Sequence, residues 1–311
     1  MSASLARCRA YTLLGDLFQR GLTPTSAAAW GEVPLARGAL ADLPLDLAAE
    51  VHTRVVLLDL PLRASAWLSE DGLVGGAPAD EAAALLARCG RPVGAEPDSL
   101  GSQLAFLAFL SGAVVDAQAD GHRLPDVGGL EREALDGLLA WLPGGVAALR
   151  AAGEPAPLYE LAAELALDLA IAHRASLGGP VPSPRLRPQP ALLDLPQTGL
   201  RAIAEHLAVP ALAGGGFARS TLVGLARDYE LPAGFGTRAD LLEGLMRSAA
   251  HYQRLSELFG ALEAIAAGWT ESWRSLAGPL APIAAPWHER IRGTRGVFSR
   301  LADAHRPREP D

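Results

Sequence analysis

The recurrence of alanine and leucine at helical spacing restricts the fold of this chain more than any other feature. Apolar residues return at positions i, i+3 and i+4 along most of the sequence, and runs of β-branched residues are nearly missing. The first predicted helix, over residues 4–19, carries on one face Ala6, Ala10, Leu13, Leu14, Leu17 and Phe18. Further helices are predicted over 45–58, 80–89, 130–142, from Pro157 onward, and over 199–209, 219–229, 238–251, 255–276 and 286–304. The pattern therefore predicts an all-α protein.

A change of composition divides the chain. Between Gly178 and Gly199 the periodic pattern stops and prolines become frequent. We predict a first helical domain over 1–177, a Pro-rich linker over 178–198, a smaller all-α C-terminal domain over 199–305 and a disordered tail over 306–311. The length of 311 residues agrees with two domains of about 150 residues each. The three glycines at 214–216 are predicted to form a flexible turn.

Several enzyme classes are excluded by composition. The net charge is −8, and the chain contains neither lysine nor asparagine. Without lysine there is no Walker A phosphate loop, no lysine Schiff base and no pyridoxal-phosphate anchor. Cys8 and Cys89 are far apart and form no CxxC pair, which fits a reducing compartment, and the seven histidines form no HExxH motif. We expect no catalytic residue, no metal and no cofactor.

The apolar and basic segments of the chain favour neither a membrane nor a nucleic acid. The longest uncharged run, Ser99 to Val115, is interpreted as a buried core helix, and the N-terminus has no signal-peptide pattern, so a cytoplasmic protein without membrane insertion is predicted. Residues 221–245 have the outline of a helix-extended-helix DNA module, but acidic residues interrupt their arginines. Since nucleic-acid binding draws on a dense basic patch, no nucleic-acid partner is expected.

One turn contains most of the candidate binding residues. It reads Glu96-Pro97-Asp98-Ser99-Leu100-Gly101 and leads into a strongly apolar helix. Pro97 is expected to set up the turn, and Asp98 is expected to be the N-cap of the helix that follows. A binding role for Asp98 is an equally open interpretation.

This turn and its helix resemble the TorD/DmsD/NarJ family of redox-enzyme maturation chaperones, whose motif at this place reads Glu-Pro-Asp-His-Leu-Gly. Here Ser99 stands at the position of the histidine. Other segments agree in order and spacing: Ala10-Tyr11-Thr12-Leu13-Leu14 with Leu17-Phe18, Thr53-Arg54, Ser65-Ala66-Trp67-Leu68 before Gly72-Leu73-Val74-Gly75-Gly76, and Leu138-Leu139-Ala140-Trp141-Leu142-Pro143. The resemblance covers about 4–177, and the second domain looks like the helical extension of some members.

The resemblance implies a TorD-like helical bundle and a chaperone function. Such a chaperone binds the apo catalytic subunit of a molybdopterin oxidoreductase of the dimethyl-sulfoxide-reductase type, often at its twin-arginine leader. It assists cofactor insertion and assembly, and it delays export until they are complete. A member that holds its partner without reading a twin-arginine motif fits this sequence equally well.

The implied binding site combines carboxylates with an apolar groove, since a leader offers two arginines followed by an apolar helix. Asp98 and Glu96 would meet the guanidinium groups, and Trp67, in a stretch read as irregular, is the better groove candidate. Core packing is the favoured interpretation of Leu104 and Phe106. The full candidate set is Trp67, Glu96, Pro97, Asp98, Ser99, Gln103 and Leu104.

A substitution at Asp98 tests the predicted binding site, and three alternative functions are compatible with the sequence. If client binding runs through the acidic turn, Asp98→Arg is expected to abolish client capture without unfolding the protein. The alternative functions are a non-catalytic subunit or adaptor retained in a mature redox complex, a nucleic-acid-linked regulator, and a small-molecule enzyme with an unrecognised site.

Overall fold

The protein is all-α, as the sequence predicts. The computed structural model describes residues 2–41, 43–69, 71–122, 126–152, 156–184, 186, 192–194, 198–232, 234–276 and 278–305. About 75% of the chain is helical, and the described residues contain no β-strand, only an isolated bridge between Arg63 and Ser99. The predicted tail, 306–311, and the predicted linker positions 185, 187–191 and 195–197 lie outside the described residues.

The described helices follow one another closely along the chain. In chain order they are α1 (Ala3–Arg20), α2 (Pro24–Gly31), α3 (Arg37–Ala41), α4 (Leu45–Val51), α5 (Ala64–Leu68), α6 (Ala77–Arg88), α7 (Leu100–Ala119), α8 (Val127–Leu139), α9 (Leu142–Arg150), α10 (Pro157–Leu177), α11 (Leu200–Ala208), α12 (Pro210–Ala213), α13 (Arg219–Asp228), α14 (Arg238–His251), α15 (Leu255–Trp273) and α16 (Ala281–Ala304). Helix α4 continues directly into a π-helical segment, His52–Asp59.

The chain forms two compact units. Unit 1 consists of Met1–Ser69, Leu73–Leu142 and Ala156–Pro182, and it contains α1 to α8 and α10. Unit 2 consists of Glu70–Gly72, Pro143–Pro155 and Ser183–Asp311. Most of α9 therefore belongs to unit 2, where the Thr221 hydroxyl donates a hydrogen bond to the Ala151 carbonyl oxygen (2.6 Å).

Unit 1 is centred on the close packing of α1 against α7. A Cβ added to Gly15 would lie 3.1 Å from the Ala105 nitrogen, and one added to Gly101 would meet the Gln19 side chain. Glycine at these two positions therefore lets the helix backbones approach each other. By length and composition α7 is apolar enough to cross a membrane, with a mean hydropathy of 1.5, but half of that window is buried inside the structure.

Buried polar contacts tie the helices of unit 1 together. The Tyr11 hydroxyl on α1 lies 3.1 Å from Nδ1 of His173 on α10, and Nε2 of His173 lies 3.4 Å from the Glu131 carboxylate on α8. Arg174 is 1% exposed and pairs with Asp136 on α8 (2.6 Å). Burial raises the pKa of Asp136, and the Arg174 guanidinium opposes that increase.

Unit 2 has an aromatic core. The rings of Trp273 on α15 and Trp287 on α16 stack with centroids 4.9 Å apart. Trp269 on α15 packs edge to face against Phe217, also at 4.9 Å. Since Glu263, earlier on α15, pairs with Arg295, later on α16, the two helices run antiparallel.

The glycines at 214–216 belong to this core. All three are buried, and a Cβ added to Gly215 would overlap the indole ring of Trp269. Gly214 has a φ of 86°, in the left-handed region that favours glycine. The chain bends here, as predicted, and the bend is buried: glycine lets its backbone pack against an aromatic ring.

Candidate functional site

The carboxylate of Asp98 caps a helix distant in sequence. Asp98 is 2% exposed; its Oδ2 accepts a hydrogen bond from the Ser65 N–H (2.8 Å), and its backbone oxygen accepts one from the Ala64 N–H (3.0 Å). Both donors belong to the first turn of α5, where backbone N–H groups lack partners within the helix. The prediction that Asp98 is the N-cap of α7 is wrong. That N-cap is Ser99, whose hydroxyl accepts from the Ser102 N–H (3.3 Å).

The other residues of the turn are also engaged within unit 1. Glu96 is exposed and pairs with Arg63 (2.8 Å). The Gln103 amide donates a hydrogen bond to the Asp98 backbone oxygen (2.8 Å). Together with Gly101, which contacts α1, these residues fasten the start of α7 to α1 and α5. The residues of the motif that carries the family resemblance therefore have structural roles within unit 1.

Trp67 and Leu104 are core residues. Trp67 lies in α5, not in an irregular stretch; it is 1% exposed, and its indole N–H donates to the Pro61 carbonyl oxygen (3.2 Å). Leu104 is fully buried on α7, beside Gly15 of α1. Neither side chain borders the groove described below.

An apolar groove lies beside these residues, between α5, α6, α7 and α8. Its volume is about 180 Å³. Its apolar lining includes Ala64, Leu68, Pro78, Ala82, Leu85, Leu86, Pro97, Phe106, Ala134 and Gly137. Of the predicted binding residues, Pro97 and Gln103 line this groove. Phe106, which the sequence favoured as a core residue, is 6% exposed and also forms part of its wall.

Helix α6 keeps the groove accessible. It contains no buried residue, and its apolar side chains Ala82, Leu85 and Leu86 are half-buried. Directly before it, Leu73 and Val74 are 65% and 57% exposed. Apolar residues that stay in contact with water around a groove are typical of a surface that binds an apolar partner.

Two carboxylates border this apolar surface. Glu133 on α8 is exposed and pairs with Arg88 on α6. Glu81 on α6 is exposed, and its carboxylate has no hydrogen bond or ion pair to the part of the chain that the structure describes. Exposed carboxylates of this kind can accept bidentate hydrogen bonds from guanidinium groups. Neither residue is among those predicted from the sequence. The position of Glu81 beside Ala82, Leu85 and Leu86 on one short helix is a pattern from which a carboxylate next to an apolar surface could have been predicted.

The described residues contain no group of three or more histidine, cysteine or carboxylate side chains placed to hold a metal ion. Comparisons with protein-family models, curated proteins and solved structures give no match for this chain.

Proposed function

We propose that this protein is a non-catalytic, cytoplasmic maturation chaperone of the TorD/DmsD/NarJ type. Its client is the apo catalytic subunit of a molybdopterin oxidoreductase, which it holds through an apolar segment preceded by arginines. The observation that carries the proposal is the groove between α5, α6, α7 and α8, where apolar walls and two exposed carboxylates occur together.

The groove supports this function by its chemistry. A twin-arginine leader presents two guanidinium groups followed by an apolar helix, and such a helix binds by laying its apolar face into a groove. Leu85, Leu86 and Phe106 offer the apolar contact, and Glu81 and Glu133 offer the carboxylates. Glu81 has no described partner and is ready to accept a guanidinium, whereas Glu133 would exchange its contact with Arg88 for one with the client.

The proposed site differs from the one predicted from sequence. Asp98 is buried, and neither Asp98 nor Glu96 lines the groove, so the carboxylates assigned to the client are Glu81 and Glu133, which do line it. Asp98→Arg is then no test of binding, because a large cation in place of a buried helix-capping carboxylate disrupts the fold itself.

A binding assay with a charge reversal on α6 tests the proposal. The probe is a fluorescent synthetic peptide with two consecutive arginines followed by an apolar helix-forming segment, and the readout is fluorescence anisotropy. We expect Glu81→Arg to weaken binding by about tenfold or more, since it replaces a charge-assisted hydrogen bond with repulsion. A peptide with both arginines replaced by glutamine should bind the unaltered protein as weakly as the original peptide binds the Glu81→Arg variant.

Asp80→Arg is the matched control. Asp80 is the neighbouring exposed carboxylate on α6 and does not line the groove, so its reversal changes the net charge equally. Equal weakening by both variants, or no binding of the peptide at all, contradicts the groove assignment. A stoichiometric complex with the mature, cofactor-loaded enzyme would instead favour the retained-subunit alternative.

A further inference from the structure

A second cavity, in unit 2, has the opposite chemistry to the groove of unit 1. It lies between α15 and α16 and has a volume of about 370 Å³. His288, Arg292, Arg295 and Ser299 recur at helical spacing along one face of α16 and line the cavity. Its other lining residues include Glu263 and Thr270 of α15 and Arg274, which directly follows α15. In a chain with a net charge of −8, three arginines and a histidine in one cavity indicate an anion-binding surface.

One carboxylate, Glu263, lines the cavity, and a second, Glu271, contacts a lining arginine, but donors remain for a further acceptor. Glu263 pairs with Arg295 (2.6 Å), and Glu271 pairs with Arg274. Each guanidinium has five N–H donors, so both arginines keep donors for another acceptor. Arg292 is exposed and has no hydrogen bond or ion pair to the described part of the chain.

One residue of the lining, His288, has a ring nitrogen without a partner in the described part of the chain. Nε2 of His288 has almost no exposed surface and no hydrogen-bond partner among the described residues. Buried polar atoms nearly always have a partner, so a small rotation of the His288 ring toward a ligand in the cavity would satisfy this nitrogen. Gly296, also in the wall, leaves the cavity open, since a Cβ added to it meets no atom within 4 Å.

We propose that the cavity between α15 and α16 binds the phosphate group of a small phosphate ester. A phosphate has several strong acceptor oxygens in a tetrahedral arrangement, and here guanidinium, hydroxyl and imidazole groups converge from two helices. A planar carboxylate would use fewer of these donors. The volume lies at the lower end of the range of small-ligand pockets, about 300–1,000 Å³. This site does not depend on the proposed chaperone function.

Calorimetric titration of the full chain tests the site. The probes are inorganic phosphate and glycerol phosphate, added in chloride buffer at constant ionic strength. We expect saturable binding, weakened about tenfold by Arg292→Gln because a charge-assisted contact is lost. Tighter binding of glycerol phosphate than of phosphate would assign the site to an ester, and equal binding would assign it to the phosphate group alone.

Two matched controls separate this site from general charge effects. Arg227→Gln removes an exposed arginine of α13 that does not line the cavity, and it should leave the affinity unchanged. Gly296→Glu places a carboxylate in the cavity wall and should abolish binding, whereas Gly260→Glu on α15, also exposed with no atom within 4 Å of an added Cβ, should not. Absence of saturable binding, or equal losses in Arg227→Gln and Arg292→Gln, overturns the proposal.

Discussion

Units 1 and 2 are both helical, but they differ in what their cores require. Unit 1 buries charged side chains together with their partners: Asp98 on the α5 N–H groups, Glu131 beside His173, and Arg174 with Asp136. Unit 2 also buries a charged side chain, Arg290, but its largest buried side chains are tryptophans and phenylalanines packed against one another. A buried charge is tolerated only with a well-placed partner, so the fold of unit 1 depends on individual polar contacts more than that of unit 2 does.

The two units also differ in the exposure of arginines that form ion pairs, as Arg201 of unit 2 and Arg174 of unit 1 show. Arg201 on α11 contacts Asp240 (2.7 Å) and Glu243 (3.0 Å) of α14, but its side chain is 51% exposed. Arg174 in unit 1 has a shorter list of acidic partners but is buried, and it also donates to the backbone oxygens of Gly178 and Pro180 (both 2.7 Å). The number of ion pairs therefore says less about stability than their burial does.

The largest effect is expected from Arg174→Met. This change leaves the Asp136 carboxylate half-buried without its cation and removes two bonds to the chain that follows α10. We expect the free energy of unfolding of unit 1 to fall by about 4 kcal/mol. Urea denaturation followed by far-ultraviolet circular dichroism measures the change.

Two further variants test whether the burial of Arg174 explains the large loss of stability in Arg174→Met. Arg201→Met should leave the urea midpoint close to that of the unaltered protein, because the exposed side chain is already solvated. The double variant Arg174→Met with Asp136→Leu should recover much of the loss, since no unpaired carboxylate remains. Equal losses in Arg174→Met and Arg201→Met would remove the contrast between the units.

A pH dependence is expected from the core of unit 2. His206 on α11 is 5% exposed, and burial, together with the nearby Arg290 cation, lowers its pKa to about 4. The unfolded chain takes up this proton near pH 6.5, so stability is complete above that pH and decreases as the pH falls toward 4. At about 1.4 kcal/mol per pKa unit, the loss approaches 3 kcal/mol.

Substitution of the histidine isolates this contribution. In His206→Gln, the decrease in unit 2 stability between pH 7 and pH 4 should become shallower, as measured by urea denaturation at each pH. His251→Gln alters an exposed histidine of α14 and should retain the full slope. An unchanged slope in His206→Gln would show that other groups produce the pH dependence.

The sequence predicted several short helices, among them α6, α11 and α13, but it did not predict α2, α3, α5, α9 and α12. The predicted helix at 238–251 coincides with α14, where Thr237 forms a capping box with Asp240. The helix predicted over 130–142 begins and ends earlier in the structure. In the structure α8 ends at Leu139, and Pro143 lies in the first turn of α9, where a missing N–H costs nothing.

The candidate site was predictable only as a region. The turn at 96–101 stood out in the sequence, but the donors bound by Asp98 come from α5, and no local pattern reveals such a distant partner. The groove carboxylates Glu81 and Glu133 lie on two helices and come together only in the folded unit. Of the predicted binding residues, Pro97 and Gln103 line the groove, whereas the apolar side chains of Trp67 and Leu104 are buried in the core.

The smallest expected effect concerns two carboxylates of one turn in unit 1, the buried Asp98 and the exposed Glu96. Asp98→Ala removes a buried acceptor and leaves the Ser65 N–H without it, so we expect the free energy of unfolding to fall by about 2 kcal/mol. Glu96→Ala breaks a half-exposed pair with Arg63 and should change it by less than about 1 kcal/mol. Urea denaturation compares the two variants. Equal losses would contradict the capping role of Asp98, and peptide binding by folded Asp98→Ala at unaltered affinity would show that Asp98 is not one of the client-binding carboxylates.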